Sequence, residues 1–252
     1  MRRKRKQKKS FQSFFLFIAG AAFLGAIIYL LFLSKKHSFF YDDLGVDRPM
    51  DFPVLGIDVS HHQGKINYDN LVQMQSGGDS VQFAYVKATE GVDFIDSRYD
   101  INAEGFSEKG IPFGFYHYFH PASSARQQAA FFAETIQFYN FKLRPVIDVE
   151  VDEGQSAKAL ADSIQVFYDR VEAIIGTRPI LYTYISFYND YLRTSVLAQE
   201  DLWLASYSKE LSLIDYPTML LWQFTEKGTV DGISTYVDLN VGKEGVLDSL
   251  KR

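Results

Sequence analysis

Short apolar runs recur along the chain from Val54 onward, separated by stretches with helical character. Several of these runs are almost continuously hydrophobic or aromatic, as expected for strands that are buried on both faces of a sheet. The predicted strands cover residues 54–59, 81–87, 112–119, 145–151, 180–185, 202–206 and 219–224.

Helical stretches with clear boundaries lie between these strands. Ser124 and Gln127 form a capping-box pattern, which predicts a helix from there to about Tyr139. Over residues 156–175 the apolar positions fall on one helical stripe, and Gly176 follows as a stop signal. Strand–helix alternation in units of roughly 30 residues predicts βαβ crossovers and a mostly parallel α/β sheet closed as a barrel. Shorter helices in the second half argue against a regular eightfold barrel.

A different apolar pattern precedes the barrel. Residues 14–33 carry no charge, and they correspond to about 30 Å of helix, the thickness of a bilayer's hydrocarbon core. We predict one transmembrane helix there, a basic cytoplasmic segment over 1–13, a linker over 34–52 and a folded domain over 53–252. The folded domain should lie outside the cytoplasm, in the periplasm or at the cell surface. A cleavable signal peptide is the alternative, but the run is long and lacks a small-residue cleavage site.

The charges are distributed unevenly along the chain. Nine of the 26 Lys and Arg residues precede position 37 and all 31 Asp and Glu residues follow it, so the outer part carries about −14. A field of that sign repels nucleic acid and argues against a nucleic-acid partner. The chain contains no cysteine, which excludes disulfides and thiolate metal sites.

Asp148 and Glu150 are the strongest candidates for chemistry. They interrupt a core-like run at the end of a predicted strand, where barrels of this kind place their active sites. Residues two apart on a strand share one face, and carboxylates that converge in a cleft yield an acid beside an anion. Hydrolysis of a glycosidic bond uses such a pair. The alternative is the solvent-facing side of an alternating strand.

Other strand ends carry weaker candidates, each with a structural alternative. Asp58 lies inside an apolar strand, where a carboxylate must be paired, hydrogen-bonded or functional. Glu90 follows another strand, with Lys87 as an ionic partner that equally fits a plain salt bridge. Aromatic rings suit the flat faces of sugars, yet they also fit core packing. The remaining candidates are Tyr116, His117, Tyr118, Trp222, Gln223, Asp238 and Asn240.

Other chemistries find little support in the sequence. It contains no phosphate-binding Walker loop, no dinucleotide fingerprint and no nucleophile elbow, and we expect no cofactor. A zinc site is disfavoured, because the adjacent His61 and His62 should point apart in an extended chain. His117 and His120 should lie on opposite faces of a strand.

Eight motifs occur in one order between about residues 54 and 241. They are GIDVSHHQGKINY, FAYVKATEG, GFYHYFHP with ARQQAAFF, RPVIDVE, LYTY, LWLASY, LWQF and VDLN. Together they resemble the glycoside hydrolase family 25 lysozymes, the N-acetylmuramidases. The resemblance implies an irregular, flattened, TIM-like barrel that cleaves the β-1,4 bond from N-acetylmuramic acid to N-acetylglucosamine in peptidoglycan glycan strands. Tyr182 in LYTY and Tyr207 in LWLASY join the substrate-binding candidates.

Matched motif by motif, the resemblance also implies roles for four carboxylates. Glu150 fits the general acid, and Asp148 would hold and polarise the substrate's own N-acetyl group. Asp58 and Asp238 would bind the substrate and shape the charge of the cleft.

The sequence leaves mechanism and substrate open. Retention, inversion by an activated water and assistance by the N-acetyl group are all compatible with a carboxylate pair. The D-x-E pattern resembles that of other barrel enzymes that use assistance, and we expect that route. A chitinase-like barrel and a non-catalytic tethered glycan-binding protein are the alternative functions. No motif identifies a protein partner.

Overall fold

The structure is a computed structural model that describes residues 23–26, 38–41, 44–74, 80–208, 211 and 213–252. The strands in these ranges are β1 (Ser38–Tyr41), β2 (Val46–Pro49), β3 (Val54–Val59), β4 (Phe83–Glu90), β5 (Phe94–Ile95), β6 (Phe113–Tyr118), β7 (Val146–Asp148), β8 (Ile180–Tyr184), β9 (Leu202–Ala205), β10 (Met219–Gly228) and β11 (Val237–Gly242).

The helices lie between strands along the chain, except the last one, which follows β11. They are α1 (Tyr68–Gln73), α2 (Tyr99–Glu108), α3 (Ala125–Ile136), α4 (Ala157–Ile175), the short α5 (Ile185–Phe187) and α6 (Val246–Leu250). Single turns of 3-10 helix lie at His61–Gln63 and Val196–Gln199, and a π-helical turn lies at Tyr188–Leu192.

Eight of the described strands close into a barrel in the order β3-β4-β6-β7-β8-β9-β10-β11, and β11 returns to pair with β3. Neighbours from β3 to β10 are parallel, whereas β11 is antiparallel to both β10 and β3. β5 adds a short antiparallel pairing to the end of β4. The prediction of a mostly parallel barrel without a regular eightfold repeat is therefore confirmed.

The barrel interior is packed with rings at the end where the parallel strands begin. Phe83 and Tyr85 are fully buried there. A Cβ on Gly56 would lie 2.3 Å from the Phe83 ring, and a Cβ on Gly114 would lie 2.6 Å from the Tyr85 ring. These glycines therefore leave the space that the two rings fill. Apolar residues of α6 join the same interior cluster and close this end of the barrel.

The outer layer confirms both helices predicted from the sequence. Ser124 caps α3 by accepting a hydrogen bond from the Gln127 amide at 3.4 Å, and Ser156 caps α4 in the same way. α4 ends at Gly176, whose φ of 80° lies in the left-handed region that glycine adopts freely.

All seven predicted strands are present, with some ends displaced. The largest differences are at β4, which extends to Glu90 rather than 87, β7, which ends at Asp148 rather than 151, and β10, which extends to Gly228 rather than 224. The sequence interpretation missed β11, the strand that closes the barrel.

The region before the barrel is more ordered than a linker. β1 and β2 pair as an antiparallel hairpin within the predicted linker 34–52. Leu44 is fully buried, and its carbonyl accepts a hydrogen bond from the Thr229 amide at 2.9 Å. Arg48 is buried and donates to the carbonyl oxygen of Pro53 at 2.6 Å. Part of the predicted linker therefore folds as a hairpin and contacts the barrel domain through Leu44, and the domain boundaries stay a prediction.

The predicted membrane span 14–33 lies outside the described residues except for a helical stretch at 23–26. None of the helices within the described ranges combines the length and the apolar character that crossing a bilayer requires.

Candidate active site

A cleft opens where the parallel strands end and β11 begins. It contains about 530 Å³ of space, part of it open to solvent. Carboxylates, one lysine and aromatic rings line it: Asp58, Lys87, Tyr116, Tyr118, Val146, Asp148, Glu150, Tyr182, Trp203, Gln223 and Asp238. The four predicted carboxylates therefore lie together in one cleft, at the end of the barrel where the sequence places them.

Asp148 and Glu150 face the cleft from the end of β7. Val149 between them is fully buried in the outer core, so the backbone alternates faces here as in a strand. The Val149 amide donates to the carbonyl of Tyr182 at 3.0 Å, and the Tyr184 hydroxyl donates to the carbonyl of Glu150 at 2.8 Å. These bonds fix the backbone just beyond the strand.

Asp58 and Asp238 form a second carboxyl pair across the closing strands of the barrel. The two residues are direct partners in the antiparallel pairing of β3 with β11, and their carboxyl groups share a hydrogen bond. Oδ2 of Asp58 also accepts from Nε2 of Gln223 at 3.1 Å and from Nδ2 of Asn240 at 2.8 Å. A carboxylate that accepts two amide hydrogens is stabilised as the anion.

Aromatic donors orient both amides. Tyr182 and Tyr207 donate to Oε1 of Gln223 at 3.0 and 3.1 Å, and Nε1 of Trp203 donates to Oδ1 of Asn240 at 2.8 Å. With the oxygens occupied, the amide nitrogens point toward Asp58. The arrangement assigns the anion to Asp58 and the shared proton to Asp238.

The pKa shifts of this pair agree with that assignment. Burial raises the pKa of Asp58 to about 6, against the opposing effect of the hydrogen bonds from Asn240 and Gln223. Burial, and then repulsion by Asp58, raises the pKa of Asp238 to about 9. The two values belong to one coupled pair, which holds a proton at neutral pH.

Burial also raises the pKa of Asp148 well above its usual range, and repulsion by Glu150 adds to the effect. The pKa of Glu150 is raised by burial too, against the opposing effect of the nearby Tyr182 hydroxyl. Lys87 is the cation in the cleft lining, and its charge lowers the pKa of both acids. Burial therefore favours the protonated form of each acid, and Lys87 opposes that effect at both.

One oxygen of Asp148 lacks a partner. Oδ1 is buried without a hydrogen bond to any of the described residues. Such an atom is costly to bury unless a ligand supplies the missing donor. It therefore marks where a hydrogen-bond donor of the substrate would bind.

Tyr116, Tyr118 and Tyr182 line the cleft as predicted. Tyr118, Asp148 and Tyr182 are direct neighbours across β6, β7 and β8, so the two rings flank the acid. Trp203 packs on Tyr182, with 4.9 Å between ring centroids, and forms part of the cleft floor.

Three predicted substrate-binding residues lie elsewhere. His117 is fully buried on the outer face, where its Nδ1 contacts the Thr89 hydroxyl at 2.8 Å, and burial lowers its pKa to about 3. Trp222 packs in the outer core and donates to the carbonyl of Ser206. Asn240 is fully buried beneath Asp58. The structure corrects these three predictions, since none of the three side chains lines the cleft.

The correction follows from strand geometry. Neighbouring residues of a strand face opposite sides, so His117 lies outside while Tyr116 and Tyr118 lie inside. By the same rule Trp222 must face away from the cleft because Gln223 faces into it.

Glu90 and Tyr207 lie at the margin of the cleft. Glu90 accepts from Nζ of Lys87 at 2.6 Å and contacts Nε2 of His120 at 3.0 Å. A register shift between Lys87 and Thr89 in β4 brings Lys87 and Glu90 to the same side. Tyr207 is half-exposed and reaches the site only through its hydrogen bond to Gln223.

Sequence reasoning missed Trp203 and Val146 and gave Lys87 only a pairing role. The signal for Trp203 was available, because it lies between the outward-facing Leu202 and Leu204 of β9 and so must face inward. The histidine prediction was also wrong for His61 and His62, whose rings lie 4.0 Å apart because that segment is a 3-10 turn. Within the described ranges, no group of three or more His, Asp and Glu side chains is arranged to hold a metal ion.

A parallel barrel with a carboxylate-lined cleft and aromatic walls defines a class of carbohydrate-cleaving hydrolases. Residues 57–233 match the family model described as glycosyl hydrolases family 25. The chain belongs to this family and is a glycoside hydrolase.

Relatives and solved structures agree with this assignment. The chain is 35% identical over 193 residues to the Escherichia coli K12 protein YegX. The aligned region covers 77% of this chain and 71% of YegX. It is 35% identical over 192 residues to the autolytic lysozyme of Clostridium acetobutylicum, covering 76% and 56% of the two chains. The crystal structure of a bacterial lysozyme from Streptomyces coelicolor superposes with a TM-score of 0.68 and 32% identity, covering 78% of this chain and 96% of that one.

Proposed function

We propose that this protein is a lysozyme of the muramidase type, which hydrolyses the β-1,4 bond between N-acetylmuramic acid and N-acetylglucosamine in peptidoglycan. The convergence of Asp148 and Glu150 on an aromatic-walled cleft carries the proposal. The lysozymes of Clostridium acetobutylicum and Streptomyces coelicolor to which the chain is similar support the choice of peptidoglycan as substrate.

Glu150 is the proposed general acid. Burial raises its pKa and so favours the protonated form, and its position beyond the end of β7 exposes it more than Asp148. It would donate this proton to the glycosidic oxygen as the bond to the sugar carbon breaks.

Asp148 is proposed to bind the N-acetyl group of the substrate. The amide N–H of that group would donate to the unpartnered Oδ1 and so favour the anion. The acetyl oxygen would then bond to the sugar carbon as the leaving oxygen takes the proton of Glu150. Water, losing a proton to Glu150, would reopen the ring that this step forms, with net retention of configuration.

The stereochemistry of the product tests this route. Proton NMR during hydrolysis should show the retained anomer first. An inverted anomer would eliminate N-acetyl assistance and favour direct attack by an activated water.

Asp58 and Asp238 are proposed to stabilise positive charge that develops on the sugar. Their shared proton leaves one negative charge on the pair, which the amides of Gln223 and Asn240 direct to Asp58. A fixed anion beside the cleft stabilises an oxocarbenium-like transition state without reorganisation.

Mass spectrometry of the fragments released from purified peptidoglycan tests the proposed activity. We expect muropeptides with N-acetylmuramic acid at the reducing end, and no cleavage of chitin in parallel. Fragments that end in N-acetylglucosamine, or preferential release of chitin oligosaccharides, would replace the muramidase assignment. Intact substrate in both reactions would favour a glycan-binding role.

We further propose that residues 14–33 anchor the protein in the membrane, with 1–13 in the cytoplasm and the catalytic domain, 53–252, outside it. The uncharged run and the basic residues before it support this orientation. Protease added to intact spheroplasts should digest the catalytic domain and spare an epitope tag at the N-terminus. Protection of the domain, or its release as a soluble form, would contradict the anchor.

A further inference from the structure

A hairpin with exposed apolar side chains projects at the mouth of the cleft. β4 ends at Glu90, the chain turns through Gly91 with a φ of 57°, and β5 returns along β4. Val92, Phe94 and Ile95 on this hairpin expose 39%, 43% and 44% of their surface. Phe94 and Ile95 are successive residues of β5 and so face opposite sides of the hairpin, and Phe94 is the one that lies beside Lys87. An exposed aromatic ring beside a cleft is available for a ligand contact.

The hairpin continues the wall of the cleft. Phe94 is the direct partner of Glu90 in the β5–β4 pairing, and Glu90 is the partner of Tyr118 in the β4–β6 pairing. Nζ of Lys87 lies 5.8 Å from the Phe94 ring centroid and 5.1 Å from that of Tyr118. Since Tyr118 and Lys87 line the cleft, Phe94 extends the same surface outward.

A fully buried carboxylate holds this surface in place. Oδ2 of Asp96, directly after β5, accepts from the backbone amide of His61 at 3.0 Å and from its Nδ1 at 2.6 Å. Oδ1 accepts from the Arg98 amide, and the Asp96 amide donates to the carbonyl of Ala88. The His61 ring, 6.3 Å from the Phe94 ring, therefore has a fixed position with Nε2 left to meet a ligand.

We propose that Phe94 and His61 form a distal sugar-binding subsite for the same glycan strand that is cleaved in the acidic cleft. This inference rests on the proposed function, because a polymeric substrate must leave the cleft along one of its walls. Phe94 presents the apolar surface that packs against a sugar's C–H face, and His61 presents a ring nitrogen to a hydroxyl group. The platform is built before the ligand arrives, so little ordering is required on binding.

Hydrolysis by the full-length protein tests the subsite. The measured quantity is the ratio of kcat/KM for long peptide-free glycan strands to kcat/KM for the shortest glycan that the protein cleaves. Phe94→Ala should lower this ratio by about 3- to 10-fold, through KM, and Phe94→Trp should preserve it. Phe138→Ala is the matched control, because Phe138 is 88% exposed just past the end of α3, at the opposite end of the barrel. An unchanged ratio in Phe94→Ala would overturn the subsite.

Binding separates the subsite from the proposed activity. The affinity of the same long glycan strands is measured by calorimetry for Glu150→Gln and for the double variant Glu150→Gln/Phe94→Ala. We expect affinity about 3- to 10-fold lower in the double variant. That result together with an inactive wild type would refute the proposed hydrolysis and keep the subsite. Equal affinities would refute the subsite even if the wild type is an active lysozyme.

Discussion

Asp238 shows how neighbouring groups at this site set the behaviour of one residue. An isolated aspartate ionises near pH 4, but burial and the adjacent Asp58 raise the pKa of Asp238 to about 9. Asp58 keeps its charge because two oriented amides donate to it. The pair therefore places one negative charge at a defined position, at a cost in folding stability.

Replacing Asp238 by Asn should remove that cost. The pKa of Asp238 is raised on folding, so the folded protein binds more protons than the unfolded chain between about pH 4 and pH 9, and stability falls as pH rises through this window. Asp238→Asn should therefore raise the melting temperature at pH 8 by about 2 °C or more, and much less at pH 4.

The exposed Asp190, replaced by Asn, is the control for this prediction and should leave the melting temperature within about 1 °C at both pH values. Differential scanning calorimetry reports both. If Asp238→Asn were destabilised equally at pH 4 and pH 8, protonation of Asp238 on folding would not reduce the stability of the wild type.

Lys87 sets the pH range of activity through the Asp148–Glu150 pair. Its charge lowers the pKa of both acids, so its removal should raise both. Lys87→Met is expected to move both limbs of the pH profile of kcat/KM to higher pH, by about one unit. Lys87→Arg keeps the charge and should hold the profile near its wild-type position. A lower maximum of kcat/KM at an unchanged pH optimum would mean that Lys87 acts only through packing.

Strand alternation explains which site residues were predictable from sequence at the level of single elements. The Asp148–Glu150 pair was found because two residues in phase interrupted an apolar run. The predictions for His117 and Trp222 were wrong because these residues were chosen by residue type. Each is next to a residue that faces the cleft and therefore faces the other side of its strand. Asn240 lies on the same face of its strand as the cleft residue Asp238. Its burial beneath Asp58 depends on the neighbouring strands, so the pattern of a single strand could not predict it.

β11 was missed although Val237, Leu239 and Val241 alternate with polar residues. Its inward-facing residues include Asp238 and Asn240, so this strand looks amphipathic rather than core-like. Its antiparallel direction could not be read from the sequence, because the direction depends on which strands are left unpaired when the barrel closes.

Gly56 on β3 limits how the interior can be packed. An added methyl group would overlap the Phe83 ring, which is enclosed on all sides. Gly56→Ala should therefore cost about 1–3 kcal/mol in the free energy of unfolding, measured by urea denaturation. Adding Phe83→Leu should recover part of this loss, because the smaller side chain vacates the space. Losses that simply add would show that the two residues do not compete for volume.

At the scale of the whole molecule, parallel strand direction brings the functional residues together. The last inward-facing residue of each parallel strand lies at one rim of the barrel, and so does the first inward-facing residue of β11. Acids as far apart in sequence as Asp58 and Asp238 therefore lie close together. This convergence was predictable from strand–helix alternation, whereas docking of residues 44–53 on the barrel was not. That segment lacks a periodic pattern, and its position depends on contacts distant in sequence.

The central claim is that Glu150 supplies the proton for glycosidic cleavage, and one comparison tests it most directly. Release of muropeptides from purified peptidoglycan is measured for the wild type and for Glu150→Gln, alongside the melting temperature of each. We predict that Glu150→Gln loses release by at least about 1,000-fold and melts at or above the wild-type temperature. Release at the wild-type rate by a folded Glu150→Gln variant would contradict the account.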